Sequence, residues 1–172
     1  MEQWLVISLR VVHILTGAAW VGGAFLLMGF IVPRARTLGP MTGGAYLNGF
    51  LDHPWFSLYI SLVEGLAVVT GLVLYLNSSN GLQGAWMTSA TGLAFSIGGA
   101  AAMLALGISV PISTSLSKLY YLTLDLSSEE KENRDQVSAF EEWHTRLARL
   151  GAIYTTLLAV AVVGMASAQY LN

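Results

Sequence analysis

Charge is scarce in this chain. Only 10% of its 172 residues are Asp, Glu, Lys or Arg, against about 25% in a soluble domain. With 55% hydrophobic residues and a mean hydropathy of +0.63, that scarcity excludes intrinsic disorder and an ordinary cytosolic enzyme. Basic charge is not in surplus either. The formal net charge is −2, so the chain has no electrostatic footprint for DNA or RNA. Cysteine is absent, which removes disulfides, thiolate zinc sites, iron–sulfur clusters and Cys nucleophiles. No Gly-rich phosphate loop, Gly-x-Ser-x-Gly or His-Glu-x-x-His occurs, and nothing points to nucleophilic catalysis.

The charge that is present lies in blocks. None falls between Val11 and Pro33, between Gly65 and Ser117, or between Gly151 and Asn172. Twelve of the eighteen charged side chains lie from Lys118 to Arg149. A hydrocarbon core takes roughly 20 apolar residues of helix to cross. The pattern predicts a single transmembrane domain, an all-α integral membrane four-helix bundle, with spans at about 4–31, 55–76, 86–117 and 149–170. The N-terminus lacks a basic n-region and stays apolar past the length of a signal peptide, so it reads as a retained first span. Span one is expected to end at Pro33, and Pro111 to kink span three. Asp52 and Pro54 read as an N-cap and first turn for span two, followed by a turn at Asn77 to Gly81. Trp4, Trp55, Tyr75, Trp86 and Tyr170 fall near span ends, as interfacial aromatics do.

The basic residues orient the spans. Arg34, Arg36, Lys118, Lys131, Arg134, Arg146 and Arg149 follow spans one and three, and only Arg10 lies on the other side. Positive-inside bias then predicts both termini on the non-cytoplasmic side. Within the polar segment, Ser127 with Glu130 reads as a capping box. Val137, Phe140, His144, Leu147 and Gly151 recur at helical spacing, which predicts a cytoplasmic helical extension at about 129–148. The Gly-rich, uncharged stretch Thr37 to Phe50 reads as a re-entrant or surface-lying loop. Small residues stripe the spans: Gly17, Ala18, Gly22 and Gly23; Gly92, Ser96, Gly98 and Gly99; Gly164 and Ala168. Such stripes let helix backbones approach closely.

Ionisable groups within spans are costly and tend to face protein. Arg10, His13 and Glu64 are such groups. Thr16, Gly17, Trp20, Gly23 and Ala24 share the face of His13, forming a groove of small residues topped by an imidazole, with Arg10 one turn outward. A planar macrocycle suits that groove, with His13 as axial ligand, Arg10 on a propionate, Gly17 and Trp20 as lining, and Met87 or Met165 as soft candidates for a second axial position. The bland alternative is an interhelical hydrogen bond from His13 and an Arg10 that snorkels. His53, His144 and Glu141, with Asp52 adjoining, form a second constellation at the cytoplasmic ends of spans two and four. It offers a first-row divalent metal two imidazoles and two carboxylates, or else makes a plain hydrogen-bond cluster. Glu64, near the middle of span two, reads as a proton or ion relay or as a protonated acid bonded to a neighbouring helix.

His13-Ile14-Leu15-Thr16-Gly17-Ala18-Ala19-Trp20-Val21-Gly22-Gly23, closing on Pro33-Arg34, resembles the first span of the CopD-like superfamily of four-span bacterial membrane proteins, which includes HemJ-type protoporphyrinogen oxidases. Thr70-Gly71-Leu72-Val73-Leu74-Tyr75-Leu76 and Arg146-Leu147-Ala148-Arg149-Leu150 extend the resemblance over nearly the whole chain. The resemblance implies the fold, residence in the plasma (inner) membrane of a prokaryote, and haem b or a metal at His13. HemJ-type members also use a Lys in a later span. No Lys occurs between Gly65 and Ser117 here, so the resemblance does not carry that oxidase activity over.

Three functions compete at this point. The first is a haem b protein for electron transfer, or the haem-bearing subunit of a membrane redox complex. The second is a cofactor-free structural accessory subunit docked on other membrane subunits or on its own copies, with Phe140 and Trp143 as anchors. The third is a copper- or cation-handling membrane protein using Glu64 and His13.

Overall fold

The computed structural model describes residues 2–128 and 134–171. All regular structure among them is helical. In chain order the elements are α1 (Gln3–Leu26), a π-helical turn (Leu27–Ile31), α2 (Val32–Thr37), α3 (Gly39–Leu51), α4 (Pro54–Ser78), α5 (Gly84–Met87), α6 (Ala90–Ser128) and α7 (Arg134–Ala168). Four helical stretches are long and apolar enough to cross a membrane: Gln3–Thr37, Trp55–Ser78, Ala90–Leu124 and Arg134–Ala168. Only 17–22% of each apolar window is buried within the protein. Faces so extensively apolar and so little covered match hydrocarbon rather than water as the surrounding medium.

Several boundaries differ from expectation. Pro33 does not end the first helix. A proline in an α-helix clashes with the carbonyl four residues back, here that of Gly29. The π turn covers Gly29, and Val32 N–H reaches back to Leu27 O. This wider turn lets the helix pass the proline and run on to Thr37. The break comes instead at Gly39, whose φ of +77° favours a residue without Cβ. The stretch Thr37 to Phe50 is not a loop: α3 occupies most of it. Its glycines are contact points. A Cβ on Gly43 would strike the Ala35 carbonyl, and one on Gly44 would strike the Thr123 side chain. α6 continues through Pro111 to Ser128. The polar extension and the fourth span form one helix, α7, from Arg134. The Ser127–Glu130 capping box and residues 129–133 lie outside the described residues.

The chain gathers into two compact units. The first comprises residues 1–22, 61–106 and 156–172. In it, α1 meets α4 through His13 and Ala67, and α4 meets α6 through the hydroxyls of Tyr75 and Ser96, 2.6 Å apart. The Ser96 hydroxyl also donates to Gly92 O, so Tyr75 is the donor of that pair. α6 and α7 approach at Gly98 and Gly164: a Cβ on Gly164 would lie 3.0 Å from Ala94 O, and one on Gly98 would lie 3.1 Å from Ala161 O. This closeness is what the small-residue stripes predicted for Gly98 and Gly164; Gly17, Gly22 and Gly99 instead have open space where a Cβ would stand. The interior is correspondingly fine-grained, with Ala67, Ala101, Ala105, Ala161 and Ala168 buried around Leu158 and Val63. The turn after α4 closes with Gly81 N–H on Leu76 O at 3.0 Å, and Gly81 takes a φ of +78°.

The second unit comprises residues 23–60 and 107–155. Ala35, Leu47, Leu119, Phe140 and Leu147 are fully buried there. Asn48 Nδ2 donates to Thr123 Oγ1 at 2.9 Å, tying α3 to α6. The Asp52 carboxylate accepts from the Tyr120 hydroxyl at 3.1 Å. Gly151 of α7 receives Met28 of the π turn, whose sulfur lies 2.8 Å from where a Cβ would stand. The predicted apolar stripe of α7 faces inward: Phe140, His144, Leu147 and Gly151 are buried and Val137 is half-buried.

Candidate functional site

One polar site of the first unit centres on His13. Its ring lies in a notch on α4. A Cβ on Gly71 would be 2.8 Å from Cε1 and 3.2 Å from Nδ1, so the missing side chain makes room for the imidazole. Nδ1 is 2.9 Å from Ala67 O, with Thr70 Oγ1 at 3.3 Å. A carbonyl can only accept, so Nδ1 donates to it, and Nε2 is the nitrogen that would carry the lone pair in the neutral ring. A ligating imidazole is held in the same way, by its second nitrogen on a carbonyl.

The residues expected around His13 divide. Trp20 and Ala24 are buried, while Thr16, Gly17 and Gly23 are half-buried. Gly17 has open space where a Cβ would stand. Arg10 is exposed, one turn from His13. Met87 and Met165 belong to the same unit. The Met165 side chain is engaged with α6, its Cγ 3.2 Å from the Cβ position of Gly98. Glu64 is buried in this unit with 6% of its surface exposed, and it is not left without an interaction partner.

In the second unit the expected constellation is dispersed. His144 is buried in the core, its ring 4.4 Å from that of Phe140. His53 is exposed. Glu141 is half-exposed and paired to Arg36, whose Nε and Nη2 both reach Oε2, at 3.0 and 2.8 Å. Asp52 is engaged with Tyr120. Among the described residues no three His, Cys, Asp or Glu side chains gather in a group able to hold a metal ion. Phe140, expected as a docking anchor, is fully buried and unavailable to a partner. Neither His144 nitrogen has a hydrogen-bond partner among the described residues. It lies in the charged first part of α7, ahead of the uncharged run after Arg149. Burial pushes its imidazole below the usual range, which the nearby Glu141 opposes and Arg36 reinforces.

Two features escaped sequence reading. Gly71 stands within a stretch already noted for its resemblance, but its role as the receptor for His13 depends on a contact 58 positions away in the chain. Arg36 and Glu141 are 105 positions apart, and their pairing belongs to a cleft of about 620 Å³ where α2 meets the charged part of α7. Comparison with family models, curated proteins and solved structures returned no match.

Proposed function

We propose that this chain is a small integral membrane protein that binds haem b through His13. In this reading it serves electron transfer, alone or as the haem-bearing subunit of a membrane redox complex. Its setting would be a prokaryotic inner membrane with both termini on the non-cytoplasmic side, in keeping with the CopD-like resemblance of the first span and the bias of its Lys and Arg residues. The observation that carries the reading is the His13 Nδ1 to Ala67 O bond at 2.9 Å. It engages Nδ1 from across a helix interface, so Nε2 of the neutral ring would be the nitrogen offered to an iron.

The donor set fits the group. His13 would supply a nitrogen to the iron, and the exposed Arg10 guanidinium would pair with a propionate. Gly17, with nothing near its Cβ position, would allow a flat ring to approach, and the buried Trp20 would exclude water. Bound haem supplies one-electron exchange between ferric and ferrous iron. The chain's own part is to hold the imidazole still and to surround it with low dielectric.

An absorption spectrum of the detergent-purified chain tests the reading. The expected result is a Soret band and a reduced α-band, both lost in His13→Ala and kept in His53→Ala. A colourless, folded preparation from haem-replete cells would overturn it.

A second reading, a cofactor-free accessory subunit, is favoured by the close seating of the His13 ring on Gly71, which gives the imidazole a packing role of its own. Under that reading the chain migrates on native gels with larger membrane partners or with its own copies, and a lone monomer argues against it.

A further inference from the structure

The cleft between α2 and α7 has a chemistry the haem reading does not use. Three guanidiniums line it, those of Arg36, Arg146 and Arg149. Arg36 is neutralised by Glu141 at 2.8 Å, a pair that also ties the end of α2 to α7. Arg146 lies over the Trp143 ring, 5.1 Å from its centroid, so an aromatic face steadies it without cancelling its charge. Arg149 is exposed and has no ion-pair partner among the described residues. The two arginines are three positions apart on one helix and so are neighbours on its surface. Among the described residues Glu142 is the one lining carboxylate outside the Arg36 pair, so those that line the cleft carry a net positive charge.

Position supplies the second argument. Arg149 is the last charge before the run Gly151 to Asn172, and Arg34 and Arg36 are the first after the run Val11 to Pro33. Leu150 lines the cleft beside them, with the Thr145 hydroxyl available as a further donor. The cleft therefore has a cationic rim and an apolar member at the boundary between charged and uncharged helix. We propose that it is a binding site for the headgroup of an anionic phospholipid. The phosphate is held by Arg149 and Arg146, and the acyl chains run along the apolar face below Leu150. The Arg36–Glu141 pair shapes the wall and is not consumed in binding. A basic pocket between helices at a membrane boundary suits a lipid phosphate. This site is independent of His13 and stands or falls separately from haem binding.

Native mass spectrometry of the full chain in detergent tests it, with phosphatidylglycerol, phosphatidylcholine and inorganic phosphate as separate titrants. Phosphatidylglycerol is expected to bind several-fold more tightly than phosphatidylcholine. Arg149→Gln and Arg146→Gln should each weaken that binding about fivefold, the worth of one arginine at an anionic lipid surface. Arg34→Gln, close in sequence but outside the cleft, should leave it within about twofold of the parent on the same scale. Helix content by circular dichroism confirms that each variant is folded. Equal binding of the two lipids overturns the proposal. So does an Arg34→Gln effect as large as that of Arg149→Gln, which would mean diffuse surface charge rather than a site. Displacement of phosphatidylglycerol by millimolar inorganic phosphate overturns the lipid as the ligand and leaves a soluble-anion site.

Discussion

His13 and His144 are both enclosed by helices, yet their surroundings ask opposite things of them. His13 donates to a carbonyl and sits in a notch that a methyl group would fill. Gly71→Ala should therefore push the ring out, with a stability loss of about 1–3 kcal/mol as in other overpacked interiors, read as a lower Tm in detergent. Among the described residues His144 has no partner for either nitrogen, and a buried polar group left unsatisfied costs about 1–3 kcal/mol. His144→Leu should recover part of that and raise Tm. The sign of the pH effect follows from the lowered pKa of the folded state. Between that value and the unfolded value near 6.5, the unfolded chain binds more protons. The stability is thus complete above about pH 6.5 and falls as the solution is acidified through that window. Thermal melts at pH 5.5 and 7.5 should differ for the parent chain and converge in His144→Leu; parallel curves would contradict the assignment.

The long apolar helices were legible in the sequence because uncharged runs of that length have few other uses. Their interruptions were not. Pro33 looks like a terminator, since a proline inside an α-helix loses a bond and clashes; the wider π turn at Leu27–Ile31 precedes it and gives the ring room. Pro33→Ala should accordingly leave helix content unchanged, measured by circular dichroism, because the proline does not terminate the helix. The Gly-rich stretch Thr37 to Phe50 reads locally as a loop, yet its Gly43 and Gly44 serve as contact surfaces, one for the Ala35 carbonyl and one for Thr123. Propensity is local and cannot register a neighbour that arrives from 79 positions along the chain, as Thr123 does for Gly44. Gly164→Leu offers the corresponding test on α6 and α7. Backbone within 3.0–3.2 Å of its Cβ position leaves no room, so the variant should fold poorly or lose more than about 3 kcal/mol, seen as early elution or aggregation.

At the scale of the molecule, the small buried share of each apolar window makes extraction the decisive measurement. The chain should stay with vesicles through an alkaline carbonate wash and be released by detergent. Of the chemistry, the sequence offered His13, Arg10 and Glu64 because ionisable groups stand out in apolar runs. It could not offer Ala67 O, a backbone atom, or the cleft, whose walls are 105 positions apart at Arg36 and Glu141. The seam between Met28 and Gly151 has one more consequence. A thioether is seated there with its sulfur 2.8 Å from the Cβ position of the glycine, and the chain contains no cysteine to intercept peroxide. Conversion to the sulfoxide would add a polar oxygen to a slot cut for bare sulfur. Peroxide should thus loosen the second unit from that point, and a methionine sulfoxide reductase should restore it.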